Sequence, residues 1–334
     1  MFPQRLRPFI DDNSHHFPII SRRTKNSANY LLPCHSWLKP PPRVSDSLKI
    51  ALPKGSLQEP TLRLLEKAGY NIYTSDRGLR PSSDDEGLDI YMIRAQEIAR
   101  YIDQGFIDCG ITGLDWAYGH DVDLVDLAEL PYSRASTRPT RWVLVVPEDS
   151  PIKTVQDLEG KHIATEGMEI TKRYLAEKGV NAHVEFSWGA TEVKVPDLVD
   201  AIVDVTETGS SLRANKLRIV DELLSSFPHF YASKAAFAND WKRDKMERMV
   251  MMLKGALEAR DKVGLKLNLP EASLDAVLAC LPSLRRPTIS KLTEEGWLAL
   301  ETIICEKVAR NLIPDLKELG AEGIIEYPLN KIVP

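Results

Sequence analysis

Two carboxylates and a run of small hydroxylated residues lie together between Asp204 and Ser211, where the sequence reads D-V-T-E-T-G-S-S. A loop of this kind can hold a phosphate through backbone N–H groups and side-chain hydroxyls, and Gly209 lets the anion approach the main chain. Asp204 and Glu207 would repel that phosphate, so we expect them to serve ribose hydroxyls or a Mg²⁺ ion. The combination indicates a sugar phosphate. The hydroxyl groups belong to Thr206, Thr208, Ser210 and Ser211.

The loop needs a strand before it and a helix after it. The apolar, β-branched run from Val199 to Val205 predicts a buried strand, and residues 212–217 predict a helix. Strand, turn and helix with Thr, Gly and Ser in the turn also occur in α/β proteins that bind nothing there. The spacing alone therefore leaves a phosphate loop and an ordinary turn both open.

Three earlier strands end on polar side chains that could contact a ligand. Lys54 follows the first strand in a P-K-G-S turn, Arg94 ends the strand L-D-I-Y-M-I-R, and Thr112 stands in I-D-C-G-I-T-G. Ligands bind at the carboxyl edge of an open parallel sheet, so we expect these three residues at one edge. A solvated turn lysine is the plain alternative for Lys54. Asp108 and Asp115 are interpreted as a strand-end and a helix-cap residue.

The order of predicted elements indicates two α/β lobes with a cleft between them. The polar segment from Leu130 to Arg141 interrupts the first lobe, and a new strand-helix series follows it. We predict lobe I over residues 48–139 and 216–238, and lobe II, with the phosphate loop, over residues 140–215. The hinge arginines reach into the cleft or lie in a solvated linker, and both interpretations stay open. They are Arg134, Arg138 and Arg141.

The last third of the chain predicts a separate module. Residues 240–263 form a helix with methionines and leucines on one stripe, which is typical of core or partner-helix contacts. The pattern then runs strand, helix, strand, strand, helix, strand, which is the order of a ferredoxin-like domain. Residues 240–334 hold no recognisable catalytic set, so we predict a role in regulation or assembly.

Several of these motifs together resemble one enzyme family. Glu192, followed by D-A-I-V-D-V-T-E-T-G-S-S-L-R-A-N, is similar to the phosphoribosyl-pyrophosphate loop of ATP phosphoribosyltransferases, which catalyse the first step of histidine biosynthesis. The P-K-G turn, the strand ending at Arg94 and the D-x-G-I-x-G segment match as well. The resemblance covers about residues 48–334 and fits the long forms, since short forms would stop near Lys242. One departure is residues 195–197, where the family pattern has a glycine and a slightly longer spacer.

The resemblance implies a reaction and a role for each motif. The phosphoribosyl group of phosphoribosyl pyrophosphate passes to N1 of ATP, and Mg²⁺ accompanies the pyrophosphate. Asp204 and Glu207 become the catalytic carboxylates, and Lys54, Arg94 and Thr112 become contacts to ATP or pyrophosphate. The 5′-phosphate is then held by Thr206, Thr208, Gly209, Ser210 and Ser211.

The resemblance also implies feedback regulation by the end product. In long forms the C-terminal domain binds histidine as an inhibitor, between neighbouring subunits of a homo-oligomer that interconverts between dimer and hexamer. Thr288 in the R-P-T turn and Ala321 in the L-G-A turn match the effector-site segments of the family.

Composition excludes several other classes of protein. The chain has 334 residues and a net charge of −5, which argues against nucleic acid as a main partner. No apolar run approaches the roughly 20 residues that span a bilayer, so we predict a cytoplasmic protein. The cysteines are far apart and form no C-x-x-C pair, which predicts buried free thiols and no metal site. They are Cys34, Cys109, Cys280 and Cys305.

Residues 1–46 differ from the rest of the chain. They carry seven Lys or Arg residues against three Asp or Glu residues and a Pro-Pro-Pro run, which predicts disorder. A transit peptide is disfavoured by Asp11 and Asp12. Translation could also begin at Val44, in which case this segment would be an artefact of the assigned start.

Two rival functions follow from the same pattern. Paired α/β lobes also make non-enzymatic binding modules, in which a Thr/Ser loop holds an anion without reaction. A phosphoribosyltransferase acting on another base is the second rival, because adenine pockets are mostly apolar and lined by backbone. Only the family resemblance selects ATP as the acceptor.

Overall fold

The computed structural model describes residues 47–74, 80–134, 137–282 and 287–333. The expectations for residues 1–46 and for Cys34 lie outside these ranges. Within them the chain forms two α/β lobes and a C-terminal α/β domain. This arrangement confirms the predicted fold class, a two-lobed binding-protein-like catalytic part followed by a ferredoxin-like domain.

The first lobe begins with the first predicted strand. Its elements are β1 (Leu48–Lys54), α1 (Gln58–Ala68), β2 (Ile72–Tyr73), β3 (Ser82–Ser83), β4 (Leu88–Arg94), α2 (Ala95–Asp103), β5 (Cys109–Gly113), α3 (Leu114–His120) and β6 (Val125–Glu129). Apolar runs in β1 and β5 bury nearly every residue of those strands, because helices cover the sheet around them.

The second lobe follows the hinge. It contains β7 (Thr140–Pro147), β8 (His162–Thr165), α4 (Met168–Lys178), β9 (His183–Phe186), β10 (Ala201–Thr206), α5 (Ser210–Ala214) and β11 (Leu217–Ser226). These strands form one sheet in the order β11-β7-β10-β8-β9. Two core clusters cover its faces, one around Trp142 and Leu144 and the other around Val143 and Ile202.

The chain then returns to the first lobe through β12 (Pro228–Ala232), α6 (Lys234–Ala238) and α7 (Asp240–Glu258). The first sheet has the order β4-β1-β5-β12-β6, in which β1, β4 and β5 are parallel and β12 is antiparallel to both its neighbours. The predicted return at residue 216 is wrong, since β11 pairs along its length with β7 of lobe II. Lobe I therefore resumes at Pro228.

Two helix predictions also fail at their ends. The helix predicted over residues 212–217 runs instead from Ser210 to Ala214, because Lys216 takes a left-handed conformation (φ 54°) and Leu217 already pairs with Pro147 in the sheet. The helix predicted over residues 240–263 ends at Glu258, and the next strand takes residues from Lys262 onward.

The C-terminal domain has the predicted β-α-β-β-α-β order. Its elements are β13 (Lys262–Pro270), α8 (Leu274–Cys280), β14 (Thr288–Lys291), β15 (Trp297–Cys305), α9 (Glu306–Glu318) and β16 (Glu322–Pro328). All pairings in the sheet are antiparallel, and the strand order is β14-β15-β13-β16. Alternate residues of β13, from Val263 to Leu269, pack with the apolar faces of α8 and α9.

Burial of the thiols follows the prediction only in part. Cys109 is fully buried in lobe I, whereas Cys280 is exposed and Cys305 is partly exposed, and all three are free thiols. None of the described helices is both long enough and apolar enough to cross a bilayer.

Candidate active site

Two cations mark the carboxyl edge of the lobe I sheet. Lys54 and Arg94 end the adjacent parallel strands β1 and β4 and are register partners. Both are exposed, and among the described residues neither forms an ion pair. Paired in-register strands bring their last residues together, so the predicted grouping of these side chains at one edge is what the structure shows.

A cleft of about 360 Å³ lies between this edge and lobe II. From lobe I its lining includes Lys54, Gly55, Arg94, Gln96 and Asp115, and from lobe II it includes Trp142, Glu166, Thr206 and Glu207. The amide of Gln96 donates to Glu166 Oε1 across the cleft at 2.9 Å. The two lobes thus already contact each other beside the space where a ligand would bind.

Thr112 does not reach this cleft through its side chain. The residue is fully buried, and its hydroxyl donates to the carbonyl of Ala95 at 2.7 Å, inside lobe I. The neighbouring Gly113 lines the cleft instead. Because side chains alternate along a strand, a side chain one position away from a lining residue points to the other face. The position of Thr112 argues against the predicted ligand contact.

The loop from Thr206 to Ser211 is held in shape by its own side chains. The backbone N–H of Gly209 donates to Thr206 Oγ1 at 2.8 Å, and the Thr208 and Ser210 hydroxyls lie 3.0 Å apart. Gly209 has a φ of 71°, in the left-handed region that favours glycine. The loop therefore forms the turn that the sequence predicts, and its residues Thr208, Ser210 and Ser211 are exposed.

Two contacts of this loop were not visible in the sequence. Arg213 Nη1 donates to the Thr208 carbonyl at 3.1 Å, and the Ser211 hydroxyl donates to Glu192 Oε1 at 2.9 Å. A Cβ on Gly209 would lie 3.0 Å from that same Arg213 nitrogen. The guanidinium adds positive charge at the helix end of the loop, where an anion would be stabilised.

Asp204 is partly buried at the end of β10. The pKa of its carboxyl is raised to about 6, mainly by burial and also by the nearby charges of Glu192 and Glu166, while the hydrogen bond from the backbone N–H of Val205 opposes the shift. Asp204 thus lies near other negative charges. A hydrogen bond from a ligand hydroxyl, or a bound cation, would stabilise its carboxylate.

Glu207 connects the loop to the hinge. The hydroxyl of Ser133 donates to Glu207 Oε2 at 3.0 Å, so the second predicted carboxylate is already hydrogen-bonded to the segment that joins the lobes. Arg134 lines the cleft, as one interpretation of the hinge arginines predicts. Arg141 instead pairs with Glu222 of β11 at 3.1 Å, and Arg138 is not part of the described cleft lining.

Asp115 is not the helix cap that the sequence suggests. It lies inside the first turn of α3, whose N-cap position is Gly113. Its carboxylate accepts hydrogen bonds from Trp142 Nε1 at 2.8 Å and from Ser226 Oγ at 2.9 Å. Asp108 does behave as a strand-end residue, since it accepts from the backbone N–H of Lys49 and from Lys242 Nζ.

The two predicted effector residues lie far apart in the C-terminal domain. Thr288 is exposed at the start of β14, whereas Ala321 is fully buried just before β16. These strands form opposite edges of the four-stranded sheet. The rest of the R-P-T turn, including Arg286, lies outside the described residues.

Comparison with known families and proteins gives matches along nearly all of the described chain. The ATP phosphoribosyltransferase family profile matches residues 94–255, and the profile of the HisG C-terminal domain matches residues 259–331. ATP phosphoribosyltransferase of Chlorobaculum parvum is 59% identical over 86% of this chain and 97% of its own length. The enzyme of the same name from Thermodesulfovibrio yellowstonii is 56% identical over 86% of this chain and 98% of its own length.

A solved structure matches the first part of the chain. A chain of the ATP phosphoribosyl transferase (HisG:HisZ) complex from Thermotoga maritima is 26% identical, with a TM-score of 0.53, and the match covers 62% of this chain and 98% of that one.

Proposed function

The chain belongs to the ATP phosphoribosyltransferase family, and from this premise we propose that it transfers the phosphoribosyl group of phosphoribosyl pyrophosphate to N1 of ATP. The products are phosphoribosyl-ATP and pyrophosphate, and the reaction is the first step of histidine biosynthesis. One observation carries the proposal: Lys54 and Arg94 of lobe I, which form no ion pair among the described residues, share one cleft with Thr206 and Glu207, the first two residues of the hydroxyl-rich loop of lobe II.

The loop residues suit the sugar phosphate. The hydroxyls of Thr208, Ser210 and Ser211, with the backbone of Gly209, would donate to the 5′-phosphate. Asp204 and Glu207 would accept hydrogen bonds from the ribose hydroxyls and stabilise positive charge that develops on the sugar ring in the transition state. The Asp204 carboxylate therefore holds no proton in the productive complex.

The opposite side of the cleft suits the leaving group. Lys54 and Arg94 would bind the oxygens of the pyrophosphate, which carry the negative charge released when its bond to the sugar breaks, or the oxygens of the ATP triphosphate. Protein side chains would take little part in making or breaking covalent bonds. Positioning of two bound substrates supplies most of the rate increase in such a reaction.

Mg²⁺ would accompany the pyrophosphate. The described residues hold no group of three or more His, Cys, Asp or Glu side chains arranged as a metal site. An ion that takes most of its ligands from phosphate oxygens and water, with one or two carboxylates such as Asp204 or Glu207, fits this donor set. Bound there, it would offset the charge of the leaving group.

We further propose that histidine inhibits the enzyme through the C-terminal domain, in a homo-oligomer that changes between dimer and hexamer. This part rests on the match to the HisG C-terminal domain and on the ferredoxin-like module that residues 262–328 form.

A direct assay tests both parts. Purified protein is incubated with ATP, phosphoribosyl pyrophosphate and Mg²⁺, with and without histidine, and the N1-substituted adenine product is separated and quantified. We expect product that histidine suppresses. Product that histidine leaves unchanged would remove the regulatory proposal and keep the transferase. If phosphoribosyl pyrophosphate binds and no product forms, two alternatives are left: a phosphoribosyltransferase that acts on another acceptor base, and a binding module without enzymatic activity.

A further inference from the structure

One buried carboxylate of lobe I is bonded on both oxygens to lobe II. Asp115 is only 5% exposed, and its two donors, Trp142 and Ser226, are 1% and 3% exposed. Trp142 Nε1 donates to Oδ2 at 2.8 Å, and Ser226 Oγ donates to Oδ1 at 2.9 Å. Burial raises the pKa of the carboxyl and these two hydrogen bonds lower it. A buried carboxylate needs such partners, because an unpaired one is strongly destabilising.

The donors stand where the chain crosses between the lobes. Trp142 lies near the start of β7, directly after the first crossing, and Ser226 is the last residue of β11, directly before the second. A backbone bond from Leu114 to the Phe227 carbonyl, at 3.0 Å, holds the second crossing against α3 as well. Hinge motions concentrate at such crossings, and one side chain of lobe I is hydrogen-bonded to both of these strands.

The surrounding atoms leave this group little freedom. A Cβ on Gly113 would lie 2.0 Å from Asp115 Oδ1, and a Cβ on Gly167 would lie 2.5 Å from the Trp142 ring. Trp116 packs edge-to-face on Trp142 with ring centroids 5.6 Å apart. Close packing of this kind fixes the rotamers of the indole and the carboxylate, and with them the direction of both hydrogen bonds.

We propose that Asp115 is a positioning residue of the transferase reaction: it sets how far the two lobes close, through Trp142 and Ser226. The proposal rests on the proposed function. With both bonds formed, the cations at the lobe I edge line the same cleft as Thr206 and Glu207 of lobe II. Without them the lobes keep their separate folds and lose their mutual register, which is costly because small misplacements of reacting groups reduce rates strongly.

Two single substitutions remove these donors. Trp142→Phe deletes the indole N–H and keeps an aromatic ring, and Ser226→Ala deletes the hydroxyl, which also accepts from the Asp115 backbone N–H at 3.1 Å. We expect each to lower kcat by about tenfold, with the KM of either substrate changed by less than about threefold, because orientation matters most in the transition state. The matched control is Trp241→Phe, on α7 and outside the cleft, which should leave kcat unchanged.

The decisive measurement is the dependence of both effects on Asp115. The two donors bind different carboxylate oxygens, and Ser226 Oγ also accepts from the Asp115 backbone N–H at 3.1 Å, a bond that substitution of the Asp115 side chain leaves in place. In an Asp115→Ala background, adding Trp142→Phe should change kcat less than twofold, and adding Ser226→Ala should change it less than in the native chain. Effects that stay at full size in that background would show that the donors act independently, and the proposal would be wrong. If Asp115→Ala does not fold, Asp115→Asn replaces it, and its single acceptor oxygen should reduce the effect of one of the two substitutions.

Hydrogen exchange gives a second readout that needs no activity. Lobe-to-lobe contacts join α3 to α4, where Arg173 Nη1 donates to the Tyr118 carbonyl at 2.6 Å. Trp142→Phe should speed amide exchange in α3 and α4 and leave residues 262–328 unchanged. If the native chain forms no product but exchange responds in this way, the proposed function fails and the hinge role stands. If product forms while kcat and exchange in the variants equal those of the native chain, the hinge role fails.

Discussion

The two walls of the cleft are built in opposite ways. The lobe I wall presents Lys54 and Arg94, two exposed cations without ion-pair partners among the described residues. On the lobe II side the polar groups are already hydrogen-bonded: Ser211 of the loop donates to Glu192, and Glu207, which lines the cleft, accepts from Ser133 of the hinge. An exposed cation without an ion-pair partner can bind an anionic ligand directly. A loop held by its own hydrogen bonds already has its shape before the ligand binds. We infer that lobe I supplies charge and lobe II supplies geometry.

The largest expected effect comes from removing charge at the lobe I wall. Arg94→Ala should lower kcat/KM by about 10²–10³-fold, the size of effect that follows loss of one electrostatic contact to a transition state. Steady-state kinetics with both substrates measure it. Arg100→Ala is the control, because Arg100 lies on α2 away from the cleft and pairs with Glu97. Equal activity of the two variants would mean that lobe I does not supply the charge.

The next effect tests whether the lobe II wall depends on shape. Gly209→Val should raise the dissociation constant of phosphoribosyl pyrophosphate by about tenfold or more, since the side chain meets Arg213 and the left-handed backbone disfavours valine by about 1 kcal/mol. Calorimetry measures the binding. Gly160→Val controls for the backbone, because Gly160 has the same φ of 71° and no atom within 4 Å of an added Cβ. If both variants bind alike, the phosphate does not sit on this loop.

A smaller effect concerns the charge of Asp204. Its pKa of about 6 means that the carboxylate loses its charge as pH falls through 6. The kcat/KM for phosphoribosyl pyrophosphate should therefore fall below pH 6 in the native chain. Asp204→Asn should have lower kcat/KM at pH 8 and a flatter profile around pH 6. A variant with native activity would exclude the proposed contact to the ribose.

The raised pKa of Asp204 also predicts that folding stability changes with pH, in the direction opposite to the change in activity. An aspartate of the unfolded chain titrates near pH 3.9, so the folded chain binds the extra proton between that value and about 6. Stability due to this group is present at low pH and is lost as pH rises through 6. Asp204→Asn should raise Tm by about 2–4 °C at pH 8 and leave it unchanged at pH 3.5. Calorimetry at the two pH values checks the difference.

Much of this fold could be predicted because the signals are local. The strand Leu88–Arg94 has the predicted bounds, since an apolar run and a polar stop define it. β11 was assigned to the wrong lobe because its sequence, L-R-I-V-D-E-L-L-S-S, mixes both polarities, and only the distant partner β7 decides where it pairs.

In the candidate site, too, the features with local sequence signals could be predicted and those that depend on distant partners could not. Strand ends and the loop could be found from neighbouring residues, and so could Lys54, Arg94 and Gly209. The Asp115 contacts could not, because its partners lie 27 and 111 residues further along the chain. Thr112 lies one position before Gly113, which lines the cleft. Because side chains alternate along a strand, this one position places the Thr112 side chain on the other face.

Thr288 and Ala321 lie on opposite edges of the C-terminal sheet, and for this reason the affinity of an effector that binds both segments would depend on protein concentration. Three strand spacings separate the edges, roughly 14 Å, so a molecule as small as an amino acid would touch both segments only where two chains meet. Its apparent affinity would then depend on protein concentration by mass action. Under the proposed inhibition by histidine, an assay at nanomolar enzyme would therefore show weaker inhibition than an assay at a higher enzyme concentration.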